Sequence, residues 1–366
     1  MDLNAQLDND LPGISFRHVL SYRSRCRELF RVSKTFYKIA LRSALRFVAL
    51  CPPSSPGPLF KKLSEDGNLP LLVDIVRIAR PCSHSRRSLP PSWGVADECI
   101  VKVIMSSLRN IRYLSLGTEY ASISDSMSEE TRLGLRGLHI DLTCGIVKQR
   151  IITQFRNLTT LILWVKTCGV NIETVDFLSR PSFVNLITLK IIDDLAPMNA
   201  INMLRACDFP SVETIHLTLS NDKNVFVSDL ECINLPSFPK VKTIFFKGIP
   251  KGAYARLLSA KFCPLQKLVL HSYHLERTNL QRENECIATM FDSIDFYNLT
   301  ALSELQITSV VEWPFLDQEL KNSAWNKRAQ ALTDNFGFKI TDAFGTPWKP
   351  RLTKRANKKP RDSRAK

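Results

Sequence analysis

Phe155-Arg156-Asn157-Leu158-Thr159-Thr160-Leu161-Ile162-Leu163-Trp164 is the stretch from which the architecture of this 366-residue chain can be read. It opens on an apolar residue and places others at +3, +6 and +8, namely Leu158, Leu161 and Leu163. The register recurs at Leu108, Ile111, Leu114, Leu116; at Phe183, Leu186, Leu189, Ile191; at Phe209, Val212, Ile215, Leu217; and at Phe238, Val241, Ile244, Phe246. Phe262, Leu265, Leu268, Leu270 and Leu299, Leu302, Leu305, Ile307 keep it too, while Leu135, Leu138 and Ile140 keep three positions behind Arg132. Successive starts lie 24, 23, 28, 26, 29, 24 and 37 residues apart, so the last interval implies an insertion. A near-constant period of this size marks stacked supersecondary units, none of which can bury its apolar face alone.

The spacing is that of leucine-rich repeats, roughly 20–29 residues per unit. Between the expected strands lie stretches such as 97–104, 200–205 and 253–258, whose apolar spacing near 3.6 suits helices. The expected fold class is therefore α/β: a leucine-rich-repeat solenoid with parallel strands on the concave face and helices outside, preceded by a small all-α segment. The expected division is a helical domain over 1–50, a Pro-rich linker with a degenerate first repeat over 51–94, repeats over 95–313, a C-terminal cap over 314–348 and a basic disordered tail over 349–366. Val73 to Ile78 is the candidate for the degenerate strand, and Asp317 to Asn335 for a capping helix that ends before Gly337. Trp325, Phe336 and Phe338 are placed to seal the last core layer.

The net charge of +15 suggests a nucleic-acid partner until it is located. Residues 349–366 hold nine Lys or Arg against Asp362 alone, and residues 1–50 hold nine against four acidic, which leaves only +2 for residues 51–348. A near-neutral repeat body argues against phosphate tracking by the solenoid, which needs a continuous positive face. The tail residues Lys354, Arg355, Lys358, Lys359 and Arg361 suit a nuclear import signal, a nonspecific nucleic-acid contact or a plain solvated tail. The ten cysteines are spread from Cys26 to Cys286 with none of the close pairs that zinc sites need, so they read as reduced thiols and not as metal ligands. Met1 to Asp10 has no apolar h-region and no 18-residue apolar run occurs, so an intracellular protein of cytoplasm or nucleus is expected, with no membrane segment.

Residues 1–50 fit three short helices, a unit too small to be strongly stable without docking on a partner or on the repeats. Leu11-Pro12, the apolar positions Ile14, Val19 and Leu20, and then Arg31-Val32-Ser33-Lys34 with Phe36-Tyr37 and Ile39-Ala40-Leu41 resemble the F-box motif. Followed by repeats, the chain resembles an F-box protein with leucine-rich repeats. The resemblance implies the substrate-recognition subunit of a cullin-type ubiquitin ligase, whose amino-terminal segment binds a Skp-type adaptor and whose solenoid binds an unidentified protein substrate. Carried over residue by residue, the adaptor positions are Leu11, Pro12, Ile14, Val19, Leu20, Val32 and Phe36. Two departures stand out: Gly13 precedes Ile14 where a polar residue is usual, and the arginine-rich stretch 21–28 is about two residues short. A trimmed middle helix weakens the adaptor contact that the resemblance implies. A non-ligase interaction scaffold, or a nuclear protein using the tail on nucleic acid, is the alternative.

Strand parity locates the substrate face. If Leu161 and Leu163 point into the core, Ile162 and Trp164 point out, and the same parity exposes Lys190, Ile192, His216, Phe245, Lys247, Val269 and His271. Contiguous exposed apolar residues mark interaction sites, with aromatics as anchors, which singles out Trp164 and Phe245. No phosphate loop, nucleophile elbow or metalloprotease helix occurs. The chain is therefore expected to be no enzyme, to need no cofactor, and to be a monomer outside its complex.

Overall fold

In the computed structural model the described residues are 32–50, 52, 54–78, 93–117, 120–142, 146–148, 152, 154–165, 171–173, 182–193, 207–219, 238–247, 264–271, 292, 294, 296–308 and 324–348. Eleven strands form one sheet, and every neighbouring pair in it is parallel. In chain order they are β1 (Phe47–Leu50), β2 (Ile75–Ile78), β3 (Tyr113–Gly117), β4 (Gly137–Leu142), β6 (Thr160–Val165), β8 (Thr188–Asp193), β9 (Thr214–Leu219), β10 (Thr243–Lys247), β11 (Lys267–His271), β12 (Glu304–Ile307) and β13 (Lys339–Thr341). β5 (Ile146–Lys148) and β7 (Asn171–Glu173) make a separate two-stranded parallel ladder. The order along the sheet is the order along the chain, which is the signature of an α/β solenoid.

The repeat pattern accounts for this register. Side chains at the third apolar position of each unit form one buried row, from Leu114 and Leu138 through Leu161, Leu189, Ile215, Ile244 and Leu268 to Leu305, each the Cα partner of the next. Those at the fourth position, such as Leu116, Ile140 and Leu163, form a second row further along the strands. A fully buried Leu or Ile stabilises by roughly 1.5–3 kcal/mol relative to exposure, and a slip of one place would turn both rows out to solvent. The leading phenylalanines stack as a spine beneath: Phe183 on Phe209 at 5.6 Å between ring centroids, and Phe209 on Phe238 at 5.5 Å. Where Arg132 interrupts that position, the buried side chain is Thr131, whose hydroxyl donates to the Leu108 carbonyl at 3.0 Å, so burial leaves no polar group unsatisfied.

The chain is also sewn together just before each strand. The carbonyl of the residue at +4 accepts two amides from the next unit; Arg112 O takes Arg136 N at 2.8 Å and Gly137 N at 2.9 Å, and the pattern repeats from Arg46 to Gln266. Asparagines at +2 add side-chain links, Asn157 Nδ2 donating to Leu133 O at 3.0 Å and Asn185 Nδ2 to Asn157 Oδ1 at 3.2 Å.

Helices lie on the face that carries these rows. α1 (Lys34–Leu45) starts at Ser33, whose hydroxyl accepts from Phe36 N, and α2 (Gly57–Glu65) starts in the proline cluster itself, with Pro58 in its first turn. Proline there removes a donor that has no helical partner anyway. α3 (Val95–Ser107) places Asp97 and Glu98 at the positive end of its dipole and buries Val101, Ile104 and Met105 along one stripe. α4 (Ala121–Ser124) and α5 (Glu129–Gly134) are short, and Ser128 caps α5. α6 (Ala324–Phe336) stops at Gly337, whose φ of 70° is the left-handed conformation that closes a helix.

The ends of the sheet differ from the expected domain boundaries. Strand β1 falls inside the segment read as helical over 1–50, and the stretch read as a linker over 51–94 carries α2 and a 3₁₀ turn at Leu69–Leu72 ahead of β2, which lies within the Val73 to Ile78 stretch expected to form the degenerate strand. Phe47-Val48-Ala49-Leu50 is a short apolar run, and periodicity cannot tell such a run from a buried helical turn; pairing with Ile75–Ile78 decides it. The cap expected over 314–348 adds an eleventh strand as well as a helix. Phe338 is buried and packs 5.4 Å from Phe296 between centroids, with Phe336 at 5.8 Å from Phe338, so both seal the last layer. The side chain of Trp325, the stretches 200–205 and 253–258, and most of the insertion before Leu299 lie outside the described residues.

Candidate functional site

The face of the sheet away from the helices carries three rows of side chains. Read across the register, the middle row runs Ser115, His139, Ile162, Lys190, His216, Phe245, Val269 and Gln306. The row one pair further along runs Asp141, Trp164, Ile192, Thr218, Lys247 and His271. Ile162, Trp164, Lys190, Ile192, His216, Phe245, Lys247, Val269 and His271, the residues expected to meet a substrate, all fall in these two rows.

Their accessibility is another matter. Ile162 is 1% exposed and Val269 2%, while Ile192 and Lys190 are buried as well. The expected open apolar patch is corrected to a second, smaller core: Ile162 and Ile192 pack together under Ile75, Tyr113 and Trp164. Parallel neighbours lie about 4.8 Å apart, so a small aliphatic side chain in the middle row is walled in by its flanking rungs and roofed by larger residues of the outer rows. What remains reachable is half-buried: Trp164, His216, Phe245, Lys247 and His271.

These fall into two groups. Trp164 lies parallel to the His139 ring, with centroids 6.2 Å apart and 15° between planes, and His139 Nδ1 is 3.3 Å from Ser115 Oγ. Further along, Lys190, His216, Phe245, Lys247, Val269 and His271 line one shallow depression. His216 lies flat on Phe245 at 4.2 Å and 2°. Burial, and secondarily the positive charge of Lys190, pushes the His216 imidazole down from 6.5 to about 4, so it is neutral at physiological pH and stacks as an uncharged ring. His271 Nδ1 sits 2.9 Å from Thr308 Oγ1.

The sequence reading missed one polar network on this face. Lys267 Nζ pairs with Glu304 Oε1 at 3.0 Å, and Thr341 Oγ1 donates to the same oxygen at 3.1 Å. Opposite charges at the same repeat position of adjacent units were the available signal. Among the described residues no group of three or more His, Cys, Asp and Glu could hold a metal ion, and no helix is long and apolar enough to cross a membrane.

Of the expected adaptor positions, Leu11, Pro12, Ile14, Val19 and Leu20 lie outside the described residues, as do Lys354, Arg355, Lys358, Lys359 and Arg361 of the tail. Val32 and Phe36 are described. α1 sits against β1 and the 3₁₀ turn, and turns Ala40 and Leu45 inward. Val32 and Phe36 stand outside, 64% and 48% exposed, with Ile39 exposed beside them.

No family model matches the sequence, and no curated protein matches it. Among solved structures it is similar to a Bacteroides fragilis protein determined as a structural-genomics target, at 14% identity and a TM-score of 0.33, over 80% of this chain and 71% of that one. A likeness at that score carries no argument about fold or function, and the architecture rests on the strand register above.

Proposed function

We propose that this chain is the substrate-recognition subunit of a cullin-type ubiquitin ligase, its amino-terminal helical segment holding a Skp-type adaptor and its sheet face holding a target protein. The observation that carries the reading is α1, a helix with two apolar sides. One side is used up on the first strand, and the other, with the residue leading into it, presents Val32, Phe36 and Ile39, a stripe that calls for a partner. Val32 and Phe36 are where the F-box resemblance places adaptor contacts.

In this account the chain performs no bond chemistry. It holds a substrate lysine near a charged ubiquitin carrier and so makes transfer effectively intramolecular. Trp164 and Phe245 are the anchors on the substrate side, ringed by residues that exclude water.

Co-expression with a Skp-type adaptor tests the reading. The wild-type chain should retain the adaptor through purification, and Phe36→Asp, at an exposed position, should weaken retention by roughly tenfold or more with unchanged thermal stability. Wild-type protein that never holds the adaptor, or Phe36→Asp protein that holds it as well, overturns the proposal.

A further inference from the structure

A near-neutral repeat body conceals segregated charge. Arg109 and Arg156 occupy the +1 position of their units, and Arg112 and Arg136 the +4 position, all four exposed at the edge of the sheet where strands β3, β4 and β6 begin. The repeat fixes their closeness. Arg136 N donates to Arg112 O, which sets these two one strand apart, and Arg136 Nη1 reaches the Asn157 carbonyl, at 3.5 Å, next to Arg156.

No carboxylate among the described residues pairs with any of the four. Elsewhere along the same edge the charges are neutralised locally: Arg46 pairs with Asp74 at 2.6 Å and Lys242 with Glu213 at 3.2 Å. Beside the arginines the same two repeat positions carry exposed aliphatic residues, Leu133, Val184 (55% exposed) and Ile187 (48%). Asn157, bonded to Leu133 O on one side and to Asn185 on the other, makes the basic and aliphatic parts continuous.

We propose that this edge is a second docking surface, separate from the sheet face, and that it takes an acidic amphipathic peptide segment of a protein partner. Arginine forks match carboxylates bidentately. The aliphatic trio offers apolar contact, and none of the arginine and aliphatic positions named here carries an aromatic ring on which a nucleic-acid base would stack. Charge complementarity therefore favours a peptide carrying both Asp or Glu and Leu or Val.

The full-length protein is titrated with a fluorescein-labelled peptide of alternating Glu and Leu pairs. The comparisons are a Glu-Ser peptide of equal charge and a single-stranded oligonucleotide of equal charge. Arg112→Glu plus Arg136→Glu, both solvent-exposed, should leave the thermal midpoint in place and weaken the Glu-Leu peptide by about tenfold or more. Val184→Ser plus Ile187→Ser should weaken it several-fold and bring it level with the Glu-Ser peptide. Unchanged binding by the arginine variant overturns the proposal, since it would assign the peptide to another basic segment such as the tail. Equal binding of both peptides by wild type, or tighter binding of the oligonucleotide, also overturns it.

Discussion

His216 is a histidine that the fold keeps neutral. Its ordinary value of 6.5 applies in the unfolded chain, while the folded value is about 4. Between the two the unfolded state takes up a proton and the native state does not, so the stabilisation is complete above pH 6.5 and is lost as pH falls toward 4, up to roughly 3 kcal/mol. His216→Phe keeps a ring on Phe245 and removes the titration. Urea midpoints measured at about pH 7 and about pH 5 should fall markedly for wild type and less for the variant; equal falls would place the acid sensitivity elsewhere. Residue parity was legible in the sequence, since Ile162, Lys190, His216, Phe245 and Val269 all fall in one row of the outer face. Their burial was not, because it depends on the size of neighbours such as Trp164 and Tyr113 that only the register brings alongside.

At the scale of the elements, strands β3, β4, β6 and β8 to β12 fall where the last two apolar positions of the repeat put them, because a pair of apolar side chains of one parity behind a turn leaves little choice. β1 and β13 escaped the same reading: neither is preceded by the full four-position pattern, and each is specified by the edge of a sheet that already exists. β5 and β7 are three residues each, too short for any periodicity. The phenylalanine spine was visible as a recurring leading residue, and its stacking makes a quantitative claim. Phe209→Ala, between Phe183 and Phe238, should cost about 3–5 kcal/mol in chemical denaturation, against a fraction of that for Thr214→Ala on the outer face. The asparagine links were equally present at +2 and passed unnoticed, since polar residues there resemble ordinary turn formers. Asn157→Ala should lower stability by about 1 kcal/mol, with faster hydrogen exchange in the segment before Thr160 as its local mark.

For the whole molecule, function follows from repetition. Stacked units build one core and at the same time align corresponding side chains into rows, so small differences between repeats become surfaces: Trp164 and Phe245 on the face, arginines on an edge, and an apolar stripe on the helix at one end. Every such surface depends on consecutive strands lying parallel and in register. Cysteine pairing reads that directly. Thr188 and Thr214 are Cα partners across β8 and β9 on the outer face, at the separation of about 4.8 Å that a disulfide accepts. Thr188→Cys plus Thr214→Cys should therefore close a bond on mild oxidation, identified by peptide mass mapping, whereas Thr188→Cys plus Thr218→Cys, about 13 Å apart along the strand, should not. Linkage of the second pair in place of the first would mean antiparallel or slipped strands and would contradict the solenoid and every surface derived from it.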